Sequence, residues 1–347
     1  MVAGLYIRGA EGADVSRGVQ AVGKSATYEP DQAVEGTGPA SRNERRAWRE
    51  RMNDRATRTL ILGALSTAVG GAFWGFSGTA ASYLFKLYHV DVLWLMSSRQ
   101  LLAGALFMLI AVTFDRKRLV ALWTTPAHRR ELLVFAALGL LLNQFAYLAT
   151  VQVTNPGTAT VMQCLQLLVI MAYSCIRARR KPRRREVIGV ALALGGTFLI
   201  ATGGDPSRLS IPPIGLALGL LTACAAALMA ILPVRILPAY GSTVVTGSAM
   251  FTSGLATSAV VRPWASIPTL DTHGWIAFAV LIIVGSLLAY LLYMQGVKDI
   301  GSMRAGLIGT IEPISATITS AIMVGTVFTP TDLTGFAMII AMVFLTV

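Results

Sequence analysis

Glu312 and Pro313 stand side by side in GLIGTIEPISATITS, residues 306–320, inside an otherwise uncharged and mostly apolar stretch. A charge at the centre of a hydrocarbon slab costs roughly 3 kcal/mol or more, so a carboxyl there needs a reason. Either it keeps its proton at neutral pH, or a wet cavity, an amide cluster or a cation stabilises its charge. So placed, it could hold a substrate amine or exchange a proton along a transport path. The structural alternative is a permanently neutral carboxyl that hydrogen-bonds one helix to another. Pro313 has no N–H to donate, so the helix should loosen or bend beside Glu312. The carbonyl four residues earlier, at Gly309, should then be freed as a further acceptor.

Other polar residues recur at spacings that share one helix face. They are Asn143, Tyr147, Thr150 and Thr154; Thr160, Gln163, Gln166 and Tyr173; Ser286, Tyr290 and Tyr293; Glu312, Ser315 and Thr319; and Ser66, Gly70, Trp74 and Ser77. Such groups bond neighbouring helices in membranes as readily as they line a pocket. The amides of Asn143, Gln163 and Gln166 are costly to bury without partners and point to a cavity. The rings of Trp74, Tyr147 and Tyr290 could stack on a ligand or simply pack. Arg99 either reaches back to the nearer surface or turns inward to attract a carboxylate. The candidate pocket therefore comprises Trp74, Arg99, Asn143, Tyr147, Gln163, Gln166, Tyr290 and Glu312, near the membrane midplane.

The elements that must position these residues are membrane spans. Of 347 residues, 54% are hydrophobic and 13% charged. The apolar residues come in blocks long enough to cross a ~30 Å hydrocarbon core as helix. The class is an all-α integral membrane protein. Ten spans are expected, near 60–84, 92–114, 132–152, 156–176, 186–203, 212–234, 242–261, 274–296, 301–325 and 331–347.

Net charge is +12, and its placement sets orientation. Arg116, Lys117, Arg118, Arg129 and Arg130 fall in one loop, and RARRKPRRRE, residues 177–186, in another. The alternate loops carry at most one basic residue each, so the basic side is expected to be cytoplasmic, with both termini there. The same location explains the arginine run without nucleic acid. Residues 1–58 read as a polar, disordered, cytoplasmic tail in which RNERRAWRERMNDRATR could form a short surface helix. No charged n-region with a following apolar h-region appears in that tail, so no cleaved signal is expected.

An internal repeat is visible. FAYLATVQ, residues 145–152, matches LAYLLYMQ, residues 288–295, which places Tyr147 on Tyr290 and Gln152 on Gln295 at an offset of 143. EVIGVALALGGTFL matches DLTGFAMIIAMVFL at an offset of 146, with Glu186 on Asp332 and Gly189 on Gly335. Five spans per unit would invert the second unit in the membrane, an arrangement that recurs in secondary transporters. The units are expected to cover 59–204 and 211–347. Gly71 with Gly75, and Gly215 with Gly219, near the unit starts, should permit close helix contact.

FWG at 73–75, Arg99, the paired Tyr147 and Tyr290, and IEPISA at 311–316 together resemble the drug/metabolite transporter superfamily, specifically its ten-helix EamA type. The resemblance covers about 60–347 and implies export or exchange of small metabolites, often amino acids. The chain departs from the family's Leu-Gly-Glu helix ends, reading CIRARRKPRRRE and IMVGTVFTP there.

The functional expectation is a secondary transporter, exporter or exchanger, in the cell membrane, with a small-molecule substrate and the bilayer as its partners. A flippase for a lipid-linked sugar is the alternative. An intramembrane enzyme would need a nucleophile–base pair or metal ligands. His89, His128 and His273 lie in or near loops, and Cys164, Cys175 and Cys224 have no metal spacing and read as small core hydrophobes. No Gly-x4-Gly-Lys-Ser/Thr phosphate loop occurs. No cofactor or metal is expected.

Overall fold

The computed structural model describes residues 42–205, 207 and 209–346, which are helical apart from short connections. Eight helices are long and apolar enough to cross a membrane. They are α1 (Arg42–Tyr88, with Thr57–Tyr88 the apolar part), α2 (Val92–Phe114), α3 (Pro126–Val153), α4 (Pro156–Arg177), α5 (Arg184–Thr202), α6 (Pro213–Val234), α7 (Ser242–Val261) and α8 (Thr272–Ile300). Two shorter apolar helices follow. The ninth, α9, comes in two pieces, Ser302–Ile308 and Ile311–Val324, and α10 is Pro330–Thr346.

Several starts are fixed by side chains that satisfy the first free N–H groups of the helix. Asp91 accepts from Leu93 N and Trp94 N at 2.8 and 3.0 Å. Asn155 accepts from Thr158 N at 2.8 Å ahead of Pro156, and Asp271 from Gly274 N at 2.8 Å. At the basic end, Glu186 accepts from Arg183 N at 2.7 Å and from Arg180 Nη1 and Nη2 at 2.8 and 2.7 Å. The arginine run is thereby folded back onto the start of α5.

The expected disordered tail differs from what is found. Residues 1–41 lie outside the described residues, but Arg42–Arg58 continue α1 as unbroken helix. No glycine or proline occurs between Arg42 and Leu62, so nothing stops the helix that the span nucleates from running on.

The helices pair in a symmetric pattern. α2 packs on α7, α5 on α10 and α4 on α9; α1 packs on α8 and α9, and α6 on α3 and α4. Exchanging α1–α5 for α6–α10 turns this set of contacts into itself. The irregularities obey the same exchange. α3 winds as π-helix over Phe135–Leu141 and α8 over Ile283–Leu288. α4 is interrupted at Cys164 and Leu165, and α9 at Gly309 and Thr310.

Close approach depends on small residues, as two of the contacts show. A Cβ at Gly75 of α1 would collide with the carbonyl of Glu312 and lie 2.7 Å from Ala316 N on α9. Gly196 and Gly335 face each other across α5 and α10, each one's missing Cβ 2.7–2.8 Å from the other's carbonyl. Gly219 differs from Gly75, because its neighbour is the flexible end of Met162 rather than backbone.

Candidate functional site

The site is built where helices depart from regular winding. Around Gly309 and Thr310 the bonds shorten to three-residue steps, Thr310 N to Leu307 O at 3.2 Å and Glu312 N to Gly309 O at 3.0 Å. This corrects one expectation. The Gly309 carbonyl is not left free beside Pro313, because the tightened turn hands it the N–H of Glu312. Glu312 thus opens the second piece of α9, in its first turn, about ten residues or ~15 Å into the helix from Ser302. Oriented N–H groups at such a start favour a negative charge.

α4 breaks in the same manner. Cys164 N bonds Val161 O and Leu165 N bonds Met162 O, both at 3.0 Å, with Gln163 and Gln166 flanking the break. Both glutamines are half-buried, and among the described residues neither amide has a hydrogen-bond partner. The Glu312 carboxyl is also half-buried and receives no hydrogen bond from any described group. α9 packs on α1, whose Ser77 meets Arg99, and on α4, which carries the matching break.

Arg99 is 6% exposed, which decides between the two sequence readings of it. It does not reach to the surface. Its Nε donates to Ser286 Oγ at 2.9 Å, and its Nη2 to Ser77 Oγ at 3.2 Å and Gly285 O at 3.4 Å. Two of these acceptors lie in the π-wound turn of α8. There Ser286 in turn donates to Leu281 O, five residues back, at 3.1 Å. The guanidinium is held without a carboxylate: Arg99 and Glu312 form no direct ion pair. A buried cation in hydrogen bonds to neutral groups keeps its charge available to a ligand.

Tyr147 is buried against Gly78, and its hydroxyl has no hydrogen-bond partner. An unpaired buried hydroxyl costs about 1–3 kcal/mol, so it calls for a water or ligand. Asn143, one turn away, donates weakly from Nδ2 to Met229 Sδ at 3.7 Å, while its buried Oδ1 has no partner.

The aromatic residues sort into two roles. Trp74 lies against Tyr293 with ring centres 4.8 Å apart and reaches Tyr290 at 6.5 Å. Tyr290 spends its hydroxyl on α7, bonding Ser242 Oγ and Thr246 Oγ1, the latter at 2.7 Å, and packs edge-on against Phe107. Tyr290 is therefore a packed wall residue in this structure. α1 and α9 are tied by Ser315 Oγ donating to Ala72 O at 2.9 Å and by the Thr79–Thr319 hydroxyl pair at 2.6 Å.

Sequence reasoning placed Ser77 and Ser286 on polar stripes without seeing that they hold Arg99. It read Cys164 as core, and the side chain does pack partly buried against a hydrophobic cluster at the α4 break, its thiol donating to Thr160 O at 3.4 Å. The Gly285 carbonyl carried no sequence signal. Among the described residues, no cluster of His, Cys, Asp and Glu suits a metal ion.

The EamA-like transporter family matches residues 61–202 and again 213–347. The chain belongs to the EamA-like transporter family. It is 30% identical over 286 residues to the uncharacterized inner membrane transporter YicL of Salmonella typhimurium strain LT2, covering 82% of this chain and 94% of that one. It is 26% identical over 167 residues to the uncharacterized transporter YcbK of Bacillus subtilis strain 168, covering 46% and 53%. A solved crystal structure aligns over 83% of this chain and 96% of its own with a TM-score of 0.55 at 15% identity, which speaks to the fold alone. This EamA-family chain is a multi-pass membrane protein of the transporter class rather than an enzyme.

Proposed function

We propose that the chain is a secondary active transporter, an exporter or exchanger of a small metabolite that carries an amine and a carboxylate, such as an amino acid. The observation that carries this reading is the Glu312 carboxyl. It opens the second piece of a broken helix, accepts no hydrogen bond from any described group, and stands on a helix packed against α1, whose Ser77 holds the buried Arg99 without a carboxylate partner. A substrate ammonium or a proton would neutralise Glu312, and a substrate carboxylate would meet the field of Arg99. Tyr147, Asn143, Gln163 and Gln166 supply the unpaired polar groups, and Trp74 with Tyr290 the aromatic wall.

In this reading the repeats cover 59–204 and 211–347, ten helices cross the cell membrane, and both termini are cytoplasmic. The basic loops support that orientation. Moving one half of the bundle against the other would expose the site alternately. Counterflow into proteoliposomes loaded with pooled amino acids and other small metabolites tests the proposal. Uptake of an amine-bearing compound that Glu312→Gln abolishes is expected. Equal uptake by wild type and variant would overturn the role of Glu312.

A further inference from the structure

The exchange that relates the helices also relates two hydrogen bonds at opposite ends of the bundle. At one end, Tyr88 closes α1, and its hydroxyl donates to Asp271, the residue that caps α8, at 2.5 Å. Its ring lies against Gly274 in the first turn of α8, and Trp94 Nε1 ties α2 to Pro263 O beside it at 2.9 Å. At the other end, α6 runs on through the short helix Ile236–Tyr240, which Tyr240 closes. The Tyr240 hydroxyl bonds His128 Nδ1, in the first turn of α3, at 2.7 Å, with the rings edge-to-face 5.4 Å apart. Arg235 and Glu131 pair next to it at 3.4 Å.

The equivalence is one of position, not of sequence. α1 with α8 becomes α6 with α3 when the halves are exchanged. In both cases a tyrosine at the end of the first helix of one half grips the start of the third helix of the other. Each bond therefore joins the two halves at one end only. Any motion that opens the bundle at that end, while the α2–α7 and α5–α10 pairs hold, pulls these two helix ends apart. Both bonds are formed together in this structure, so neither end is open there. The chemistry differs between ends: a carboxylate accepts at one, an imidazole at the other.

We propose that Tyr88–Asp271 and Tyr240–His128 are a matched pair of end locks, one of which breaks in each half of the transport cycle. The inference rests on the transporter reading for the cycle, but each lock is testable without a substrate. Cys164, at the break of α4, the helix that packs on α9, serves as the reporter once Cys175 and Cys224 are replaced by serine, since these three are the chain's only cysteines. A charged, membrane-impermeant methanethiosulfonate is added to one face or the other of oriented proteoliposomes.

Tyr88→Phe should speed Cys164 labelling from the face that bears Asp271, by about threefold to tenfold for the loss of one hydrogen bond. Tyr240→Phe should do so from the opposite face by a similar factor. Asp271→Asn and His128→Gln attack each lock from the other partner and should reproduce the sidedness if a tyrosine variant folds poorly. Labelling that stays at the wild-type rate from both faces in all four variants, or that rises from the same face in all of them, overturns the proposal. Opposed shifts in a protein that shows no counterflow would leave the locks standing and remove the transport reading. Counterflow with unmoved labelling would remove the locks alone.

Discussion

Arg99 of α2 donates from Nε to Ser286 Oγ of α8 at 2.9 Å, in a turn of α8 that winds as π-helix. The irregular turn brings Ser286 and the Gly285 carbonyl to a guanidinium that straight helices would leave unmatched. A hydrogen bond to a charged group contributes about 1.5–3 kcal/mol, and leaving the donor unpaired costs as much again or less. Ser286→Ala should therefore destabilise the folded protein by about 1–3 kcal/mol. Ser77→Ala should cost less, because its bond to Nη2 is longer, at 3.2 Å, and Nη2 also reaches Gly285 O. Thermal unfolding in detergent with both variants side by side gives the order.

Arg99→Lys keeps the charge but loses the fork that meets Ser286 and Ser77 together. The variant should insert and fold, yet lower substrate affinity by about tenfold or more. Substrate-induced shifts in melting temperature, compared with wild type, report that loss. An unchanged shift would confine Arg99 to a structural role.

Glu312→Gln retains shape and hydrogen-bonding capacity but cannot titrate. It should fold as wild type and lose transport or its pH dependence. Initial rates in proteoliposomes across about pH 5–9, spanning the range where a membrane carboxyl could exchange its proton, make the comparison. A variant that matches wild type throughout would reduce Glu312 to a helix-to-helix contact.

Gly75→Val would drive a branched side chain into the Glu312 carbonyl and the Ala316 N–H, both rigid backbone. Overpacking of that kind costs about 1–3 kcal/mol or more. Gly219→Ala, whose neighbour is the mobile end of Met162, should cost clearly less. Apparent melting temperatures of the two variants separate the cases, and equal losses would contradict the α1–α9 contact as described.

At the α1–α8 end, the Tyr88 hydroxyl and, secondarily, the Gly274 N–H hold the Asp271 carboxyl below the usual carboxylate range. A lowered folded-state pKa favours folding above the unfolded value, about 3.9, and the benefit fades as pH falls through the folded value. The stability difference between wild type and Asp271→Asn should be flat from neutral pH down to about 5 and shrink below about 4. Melting temperatures of both proteins over that range test it. A difference that instead grew on acidification would reverse the sign.

How much of this was legible beforehand varies with the physics involved. The lengths of the apolar blocks marked an all-helical membrane protein, and eight helices are long and apolar enough to cross, because a hydrocarbon core of set thickness accepts only helices that satisfy their own backbone. The Tyr147–Tyr290 offset revealed the repeat, and Glu312 announced itself because nothing else acidic stands so deep. The caps Asp91, Asn155 and Asp271 are local chemistry that one short stretch contains, although the sequence reading placed the spans without them.

The tertiary structure alone decided the rest. No proline or glycine marks Cys164 and Leu165, where α4 breaks, and the π turns of α3 and α8 have no sequence signature here. Such departures are set by what each helix packs against. The direction of Arg99 was equally open from sequence, since one side chain can reach either surface or core from the same position. Only the arrival of Ser77 and Ser286 from helices 22 and 187 residues away makes the core the cheaper place for its charge.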